Sequence, residues 1–384
     1  MKPSEEPRGD ALAENLPGSF RFYTTFGRTA LWAALRAAGV ENREVLLPAF
    51  TCRTTVVDAV LQAGGLPVFV DIQLPHLQMD LSQLRRKITR KTKAVISHHY
   101  YGFPTPFLEE VQGLCGRRGL VHIEDCSHSL GAARKGKPTG SWGDMAVYSF
   151  SKSMVGPGGG CVTAKTSRLI QKVGEFSKEK GFVDEVYKNY HVFEHGWELR
   201  KDINETGEGL APLFWAARAV LYIHRKITGY PPERVKGKFY EMKSPDPVDP
   251  PSPDFCLKMT RLQHSSIEKK LMNWKSQVKI KETLFKRLVH IVSPAIPLAG
   301  DRPNFSIFPF KVKDKGKLLS RAAGENIRLR ETWPAFQDYL RRQKTRNVMR
   351  MAEGCLLVNL EQYSPPEKAE KLERFFADNR NQII

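Results

Sequence analysis

The sequence predicts an α/β fold with a mostly parallel sheet, on two observations. Short apolar segments of strand length alternate with longer segments whose apolar residues recur at helical spacing. The strand segments are apolar on both faces, as in a sheet covered by helices on each side.

The elements follow in order from residue 26. FGRTALWAALRAAGV (26–40) has helical periodicity, REVLLPAF (43–50) is a short apolar strand, and TTVVDAVLQAG (54–64) is a helix stopped by Gly64-Gly65. LPVFVDI (66–72), KAVISHH (93–99), LVHIED (120–125) and MAVYSF (145–150) read as strands, with DLSQLRRKI (80–88) and PFLEEVQGLCGRRG (106–119) as helices between them. Beyond about residue 165 the pattern changes to longer polar–apolar helices (167–181 and 212–229), followed by the proline-rich linker SPDPVDPPSPD (244–254). After the linker come a long basic amphipathic helix (262–292), short strands in SIFPFKVK, NIRLRE and CLLVNLEQY, and a final helix opening with Pro365-Pro366. The expected organisation is an N-terminal arm (1–20), a large α/β domain (21–243) with a helical insertion around 170–243, a linker (244–255) and a smaller α+β domain (256–384).

Composition bounds the function classes. The 384 residues are 41% hydrophobic and 26% charged, as in a folded globular protein. The polar start lacks a signal-peptide layout, and no run approaches the roughly 18 apolar residues of a spanning helix. A cytoplasmic location is the resulting expectation. The six cysteines form no CxxC pair and no metal-type spacing, so no metal site is expected and the thiols are read as reduced. A net charge of +19 favours anionic partners. No helix-turn-helix or RNA-binding signature accompanies it, so nucleic acid is not expected. The aromatic and basic stretch 212–243 is compatible with peripheral contact to an anionic membrane, although such a helix more often packs on its own domain.

Two residues suggest chemistry. Asp125 ends a strand, and the carboxyl ends of parallel strands are where ligands bind; an aspartate there can also cap a following helix. Lys152 lies in YSFSKSMVGPGGG (148–160). A lysine amine forms Schiff bases with carbonyl cofactors, although a loop lysine is often only solvated. A phosphate-binding P-loop fits poorly, because Lys152 precedes the glycines and no Gly-Lys-Ser/Thr follows them.

With GRTAL, LPAFTCRTTVVDAVLQAGGLPVFVDI, ITRKTKAVISHHYYG, HIEDCSHSLGA and GSWGDMAVYSFSKSMVGPGGG in that order, the chain resembles the DegT/StrS family of pyridoxal-phosphate-dependent sugar aminotransferases, of fold type I. The resemblance is close over residues 20–165. It implies a seven-stranded-type sheet in the large domain, pyridoxal 5′-phosphate as cofactor, and a homodimer. Lys152 would hold the cofactor as a Schiff base and shuttle a proton, and Asp125 would keep the pyridine nitrogen protonated. His128 would lie beside the ring, with Cys52 at the ring-stacking position. Gly27, Arg28 and Thr29, with Ser149 and Ser151, would receive the phosphate. His99 and Tyr101 of the HxYG sequence, Arg261 of MTRLQ and Arg330 are substrate-side candidates, with a hydrogen-bonded structural role equally open for His99. Arg330 and Trp333 fall where the small domain of such enzymes closes over substrate.

The reaction so implied moves an amino group from an amino acid, expected to be glutamate, to a carbonyl acceptor such as a nucleotide-linked keto sugar. Elimination or other chemistry on a non-sugar or lipid-linked substrate is the alternative, although the family's dehydratases carry histidine at the lysine position. A non-catalytic binding or regulatory member is a further one.

Overall fold

The computed structural model describes residues 12, 16–18, 20–74, 76–153, 158–176, 258–296, 301–332 and 345–384. Most of the expected N-terminal arm, most of the helical insertion, the linker at 244–255 and Trp333 lie outside the described residues.

A seven-stranded sheet forms the centre, built from β1 (Phe20–Thr24), β2 (Glu44–Pro48), β3 (Leu66–Val70), β4 (Thr92–His98), β5 (Val121–Asp125), β6 (Met145–Ser149) and β7 (Gly160–Ala164). Their order is β1-β7-β6-β5-β4-β2-β3. The run β3-β2-β4-β5-β6 is parallel, as the helix–strand alternation predicts. β7 pairs antiparallel with β6, and β1 antiparallel with β7.

Burial on both faces is visible residue by residue. Val45 and Leu47 enter the large core with Ala30 and Ala34 of α1 (Gly27–Ala38), whereas Leu46 enters a second cluster. That cluster contains Leu84 of α2 (Leu81–Lys87) and Val111 and Leu114 of α3 (Leu108–Arg118). Local signals set the helix ends. Asp80 caps α2 by accepting the N–H groups of Ser82 (2.8 Å) and Gln83 (3.0 Å). Gly39 closes α1 in the left-handed conformation (φ 72°), donating its N–H to Arg36 O.

Three elements differ from expectation. The helix read over 54–64 begins with a π turn (Arg53–Val57) before its α-helical part (Asp58–Gln62). The long basic helix divides at Asn273 (φ −99°, ψ 3°) into α4 (Arg261–Met272), opened by a Thr260–Gln263 capping box, and α5 (Trp274–Ile291). In the C-terminal part, β8 (Ile307–Lys311), β9 (Arg330–Glu331) and β10 (Cys355–Asn359) form an antiparallel sheet, with β10 in the middle. β9 is shorter than NIRLRE suggests, because Arg328 N–H goes to the Tyr363 hydroxyl instead of a neighbouring strand. Phe308 and Phe310 of β8 pack edge-on against Phe376 of the last helix, Pro366–Asp378, which opens at its proline.

Candidate active site

The site lies where β4, β5 and β6 end. His98 and Asp125 are register partners on β4 and β5, so both side chains leave the same face of the sheet. His98 Nδ1–H donates to Asp125 Oδ2 at 2.8 Å, and Ser127 N–H donates to Asp125 Oδ1 at 3.0 Å. Burial alone would raise the Asp125 carboxyl, but His98 and the Ser127 hydrogen bonds outweigh it and hold the group well below the usual carboxylate range.

His128 is buried beside this pair. Its ring stacks on Tyr101 (5.9 Å, 16°) and meets His98 edge-on at 5.6 Å. Burial pushes its imidazole down to about 3; the neighbouring His98 and Lys152 act in the same direction and Asp125 opposes them. His128 is therefore neutral at physiological pH, and the Lys152 charge is near enough to affect it.

Lys152 sits in the short turn Phe150–Ser153 and is exposed in the isolated chain, not enclosed in a dry pocket. The glycines after it serve close packing. Phe150 N–H donates to Gly159 O (3.0 Å), and a Cβ on Gly160 would lie 2.5 Å from Phe26 O. This contact brings the start of α1 against the end of β6. A Cβ on Gly27 would fall 2.7 Å from Ser149 Cβ and 3.0 Å from its Oγ, so only glycine lets the helix start approach the serine. Ser149 Oγ is 3.2 Å from Ser151 Oγ. α1 has no side-chain cap and no acidic residue in its first turn, and Thr29 is buried there. A glycine-tight helix N-terminus beside paired hydroxyls suits a phosphate. An ionised buried carboxylate suits a protonated ring nitrogen. The residues present thus fit pyridoxal phosphate.

The remaining candidates scatter. His99, expected to face substrate or to be structural, is fully enclosed. Its Nδ1 accepts Thr105 N–H (3.0 Å) and its Nε2–H donates to Glu124 (3.0 Å), leaving neither ring nitrogen for a ligand. Tyr101 is also buried; burial raises its hydroxyl well above the ordinary value, with Cys355, Tyr100 and Cys52 contributing. Cys52 is half-buried in that neighbourhood. Arg261 is exposed at the first residue of α4, and Arg330 is exposed on β9 opposite Leu357. His98 was not singled out by sequence reasoning. The signal available was its place at the end of a strand that runs beside the one ending in Asp125. His99, Glu124 and Cys126 lie close enough to suggest a metal cluster. Glu124 is already filled by backbone donors, and burial raises the Cys126 thiol well above its ordinary value, which opposes metal ligation.

A mostly parallel seven-stranded sheet flanked by helices, with this group at its carboxyl edge, is the architecture of fold type I pyridoxal-phosphate enzymes. An aminotransferase of Helicobacter pylori involved in the biosynthesis of pseudoaminic acid shares the fold, with a TM-score of 0.69 at 17% identity over 97% of this chain and 89% of that one. Residues 11–201 match the profile of the DegT/DnrJ/EryC1/StrS aminotransferase family, and that part of the chain belongs to it. A GDP-perosamine synthase of Vibrio cholerae is 37% identical over 149 residues, covering 38% of this chain and 40% of that protein. A UDP-N-acetyl-3-dehydro-alpha-D-glucosamine 3-aminotransferase of Acidithiobacillus ferrooxidans is 40% identical over 151 residues, again 38% of this chain and 40% of that protein. The matched part of the chain thus spans less than half the length of these curated relatives. No helix among the described residues is long and apolar enough to cross a membrane.

Proposed function

We propose that the protein is a pyridoxal-phosphate-dependent aminotransferase that moves an amino group from an amino acid, glutamate in the first instance, to the keto group of a nucleotide-linked sugar. The observation that carries this reading is the buried His98–Asp125 pair with neutral His128 and Lys152 around it. The similarity to nucleotide-sugar enzymes and the net charge of +19 support the acceptor class. A homodimer, carried over from the family resemblance, and a cytoplasmic location, expected from the polar start and the absence of a long apolar run in the sequence, are parts of the same proposal.

Bound pyridoxal phosphate supplies a conjugated ring that takes up the electron pair released when a donor amino acid loses its α-proton. Asp125, ionised and oriented by His98, would accept the ring N–H. Lys152 is the residue that would hold the cofactor covalently, and its Nζ, once free, would move the proton taken from the donor α-carbon. The first-turn amides of α1 at Gly27, Arg28 and Thr29, with the Ser149 and Ser151 hydroxyls, hold the phosphate. The neutral His128, wedged against Tyr101, keeps water from the ring edge. Cys52, Arg261 and Arg330 are assigned to the cofactor and substrate sides on the resemblance alone.

The test is the visible spectrum of the protein titrated with pyridoxal phosphate. A Schiff-base band is expected in the native chain, with its loss on glutamate addition. Lys152→Ala should abolish both the band and amino transfer to keto-sugar nucleotides. A Lys152→Ala protein that keeps band and activity refutes the reading.

A further inference from the structure

The loops that follow β4 and β5 carry the Tyr101–His128 stack, and a third segment far along the chain ties them together. Asp301 receives the Arg134 guanidinium at 2.7 Å. Arg302 exchanges both backbone hydrogen bonds with Ala133, at 2.8 and 2.9 Å. Asn304, fully buried, then closes three bonds. Its backbone N–H donates to Gly102 O (3.1 Å), its side-chain amide donates to His128 O, and its Oδ1 accepts Ser306 N–H (3.0 Å). The fit at Gly102 is close: its φ is +92°, and a Cβ there would stand 2.0 Å from Asn304 Oδ1. Tyr101, immediately before it, is held in the left-handed region (φ 55°), which costs a non-glycine residue about 1 kcal/mol or more. Ser306 passes the connection onward, since its Oγ lies 3.3 Å from the buried Lys281 Nζ, which pairs with Glu361 at 2.9 Å.

We propose that Asn304 is a positioning residue: by holding the carbonyls of Gly102 and His128 it fixes the Tyr101–His128 stack, and with it the placement of the His128 ring against the cofactor. The proposal rests on the pyridoxal-phosphate reading above. Asn304 makes contact through the backbone at both loops, so its effect on the site runs through where His128 stands. A residue that only stabilised the fold would act whether or not His128 were present.

A double-mutant cycle separates the two. Pyridoxal phosphate is titrated into the native chain, Asn304→Ala, His128→Ala and the double variant. Asn304→Ala is expected to weaken binding about tenfold in the native background and less than about twofold when His128 is already alanine. An equal loss in both backgrounds, or none in the first, overturns the proposal. If Asn304→Ala does not fold, Asn304→Asp carries the same cycle, because it keeps the acceptor for Ser306 and removes the amide donor. A second measurement needs no cofactor. In histidine-labelled protein, the His128 imidazole signal, assigned by its loss in His128→Ala, should not titrate between about pH 6 and 8 in the native chain. The groups facing it are Tyr101, His98, Lys152 and Asp125. In Asn304→Ala the freed ring should titrate near 6.5, the ordinary histidine value. A signal that the substitution leaves unmoved overturns the clasp. If the native chain shows no Lys152-dependent band at all, the aminotransferase reading fails, and the histidine titration alone decides the role of Asn304.

Discussion

Two carboxylate–imidazole pairs stand side by side in this protein, from adjacent residues of the same two strands. His98 faces Asp125, and His99 faces Glu124. Both pairs are buried and have similar lengths, 2.8 and 3.0 Å. Their surroundings differ. Glu124 also accepts the N–H groups of Gly140, Trp142 and Gly143, and His99 accepts Thr105 N–H, so that pair is saturated by backbone and pins the 139–143 turn. Asp125 takes one backbone N–H, from Ser127, whose side chain also bonds it, and is flanked by the side chains of His98, Tyr100 and His128. A carboxylate filled by backbone donors holds a loop. One flanked by aromatic and titratable side chains can serve a ligand.

Exchanging the charge at each position is the strongest way to break this distinction. Asp125→Asn should lower transfer activity of the folded protein by about 10²–10³-fold, the usual cost of removing a preorganised electrostatic group, together with a loss of stability from breaking its buried pair with His98. Glu124→Gln should cost stability without the loss of activity. Its amide nitrogen must face backbone N–H donors, costing about 3 kcal/mol of unfolding free energy while activity of the folded fraction stays within a few-fold. Denaturant unfolding and turnover measured on both proteins decide it. Equal losses of activity would mean that the two pairs form one functional unit.

This contrast also marks what the sequence could reveal. Strands β2 to β6 were legible because their apolar runs, buried on both faces, leave no other reading. Asp125 could be picked out as a candidate by its position at a strand end, whereas Lys152 and Gly27 took their roles from the family resemblance. The two antiparallel strands at one side of the sheet, β1 and β7, were not legible. β1 is only partly buried, and β7 follows a glycine cluster that reads as a loop. The choice between His98 and His99 stayed open for a reason of periodicity: a shift of one residue reverses the face of a strand, and residue type says nothing about which face is which. Asn304 was beyond reach because its partners, Gly102 and His128, are distant in sequence. The exposure of Lys152 depends on what surrounds the turn, which local sequence does not encode.

The pH dependence of stability should sharpen the comparison. Burial pushes His122, hydrogen-bonded to Ser97 at 2.8 Å, down to about 4, and His128 is likewise lowered to about 3. Asp125 and Glu124 are also held below their ordinary values against the opposing effect of burial. A group with a depressed folded value binds protons more readily when unfolded, so stability is full above the unfolded value and is lost as pH falls through the folded one. The loss should therefore come in two stages. The histidines act first, from about 6.5 downward, and the carboxylates follow below about 4. His122 alone contributes about 3 kcal/mol across its window. Unfolding free energies measured from about pH 8 down to about pH 2 should show a shallower upper stage in His122→Gln and a shallower lower stage in Glu124→Gln. A flat profile in the native chain would contradict both.

The smallest expected effects come from the imidazoles themselves. His98→Gln removes a hydrogen bond to a buried anion, worth about 1.5–2 kcal/mol, and leaves Asp125 with Ser127 as its hydrogen-bond donor. The carboxylate should then rise toward ordinary values and hold a protonated ring less firmly, so cofactor affinity should fall about tenfold, equivalent to ~1.4 kcal/mol. His99→Gln loses a bond of the same kind, but Glu124 keeps its three backbone donors. The cost there should appear in thermal unfolding, with cofactor affinity within about twofold of native, since no energetic coupling reaches the ring. Parallel cofactor titrations and melting curves of the two variants give the answer. If His99→Gln weakens the cofactor as much as His98→Gln does, then both imidazoles serve the site and the saturated pair is more than a loop anchor.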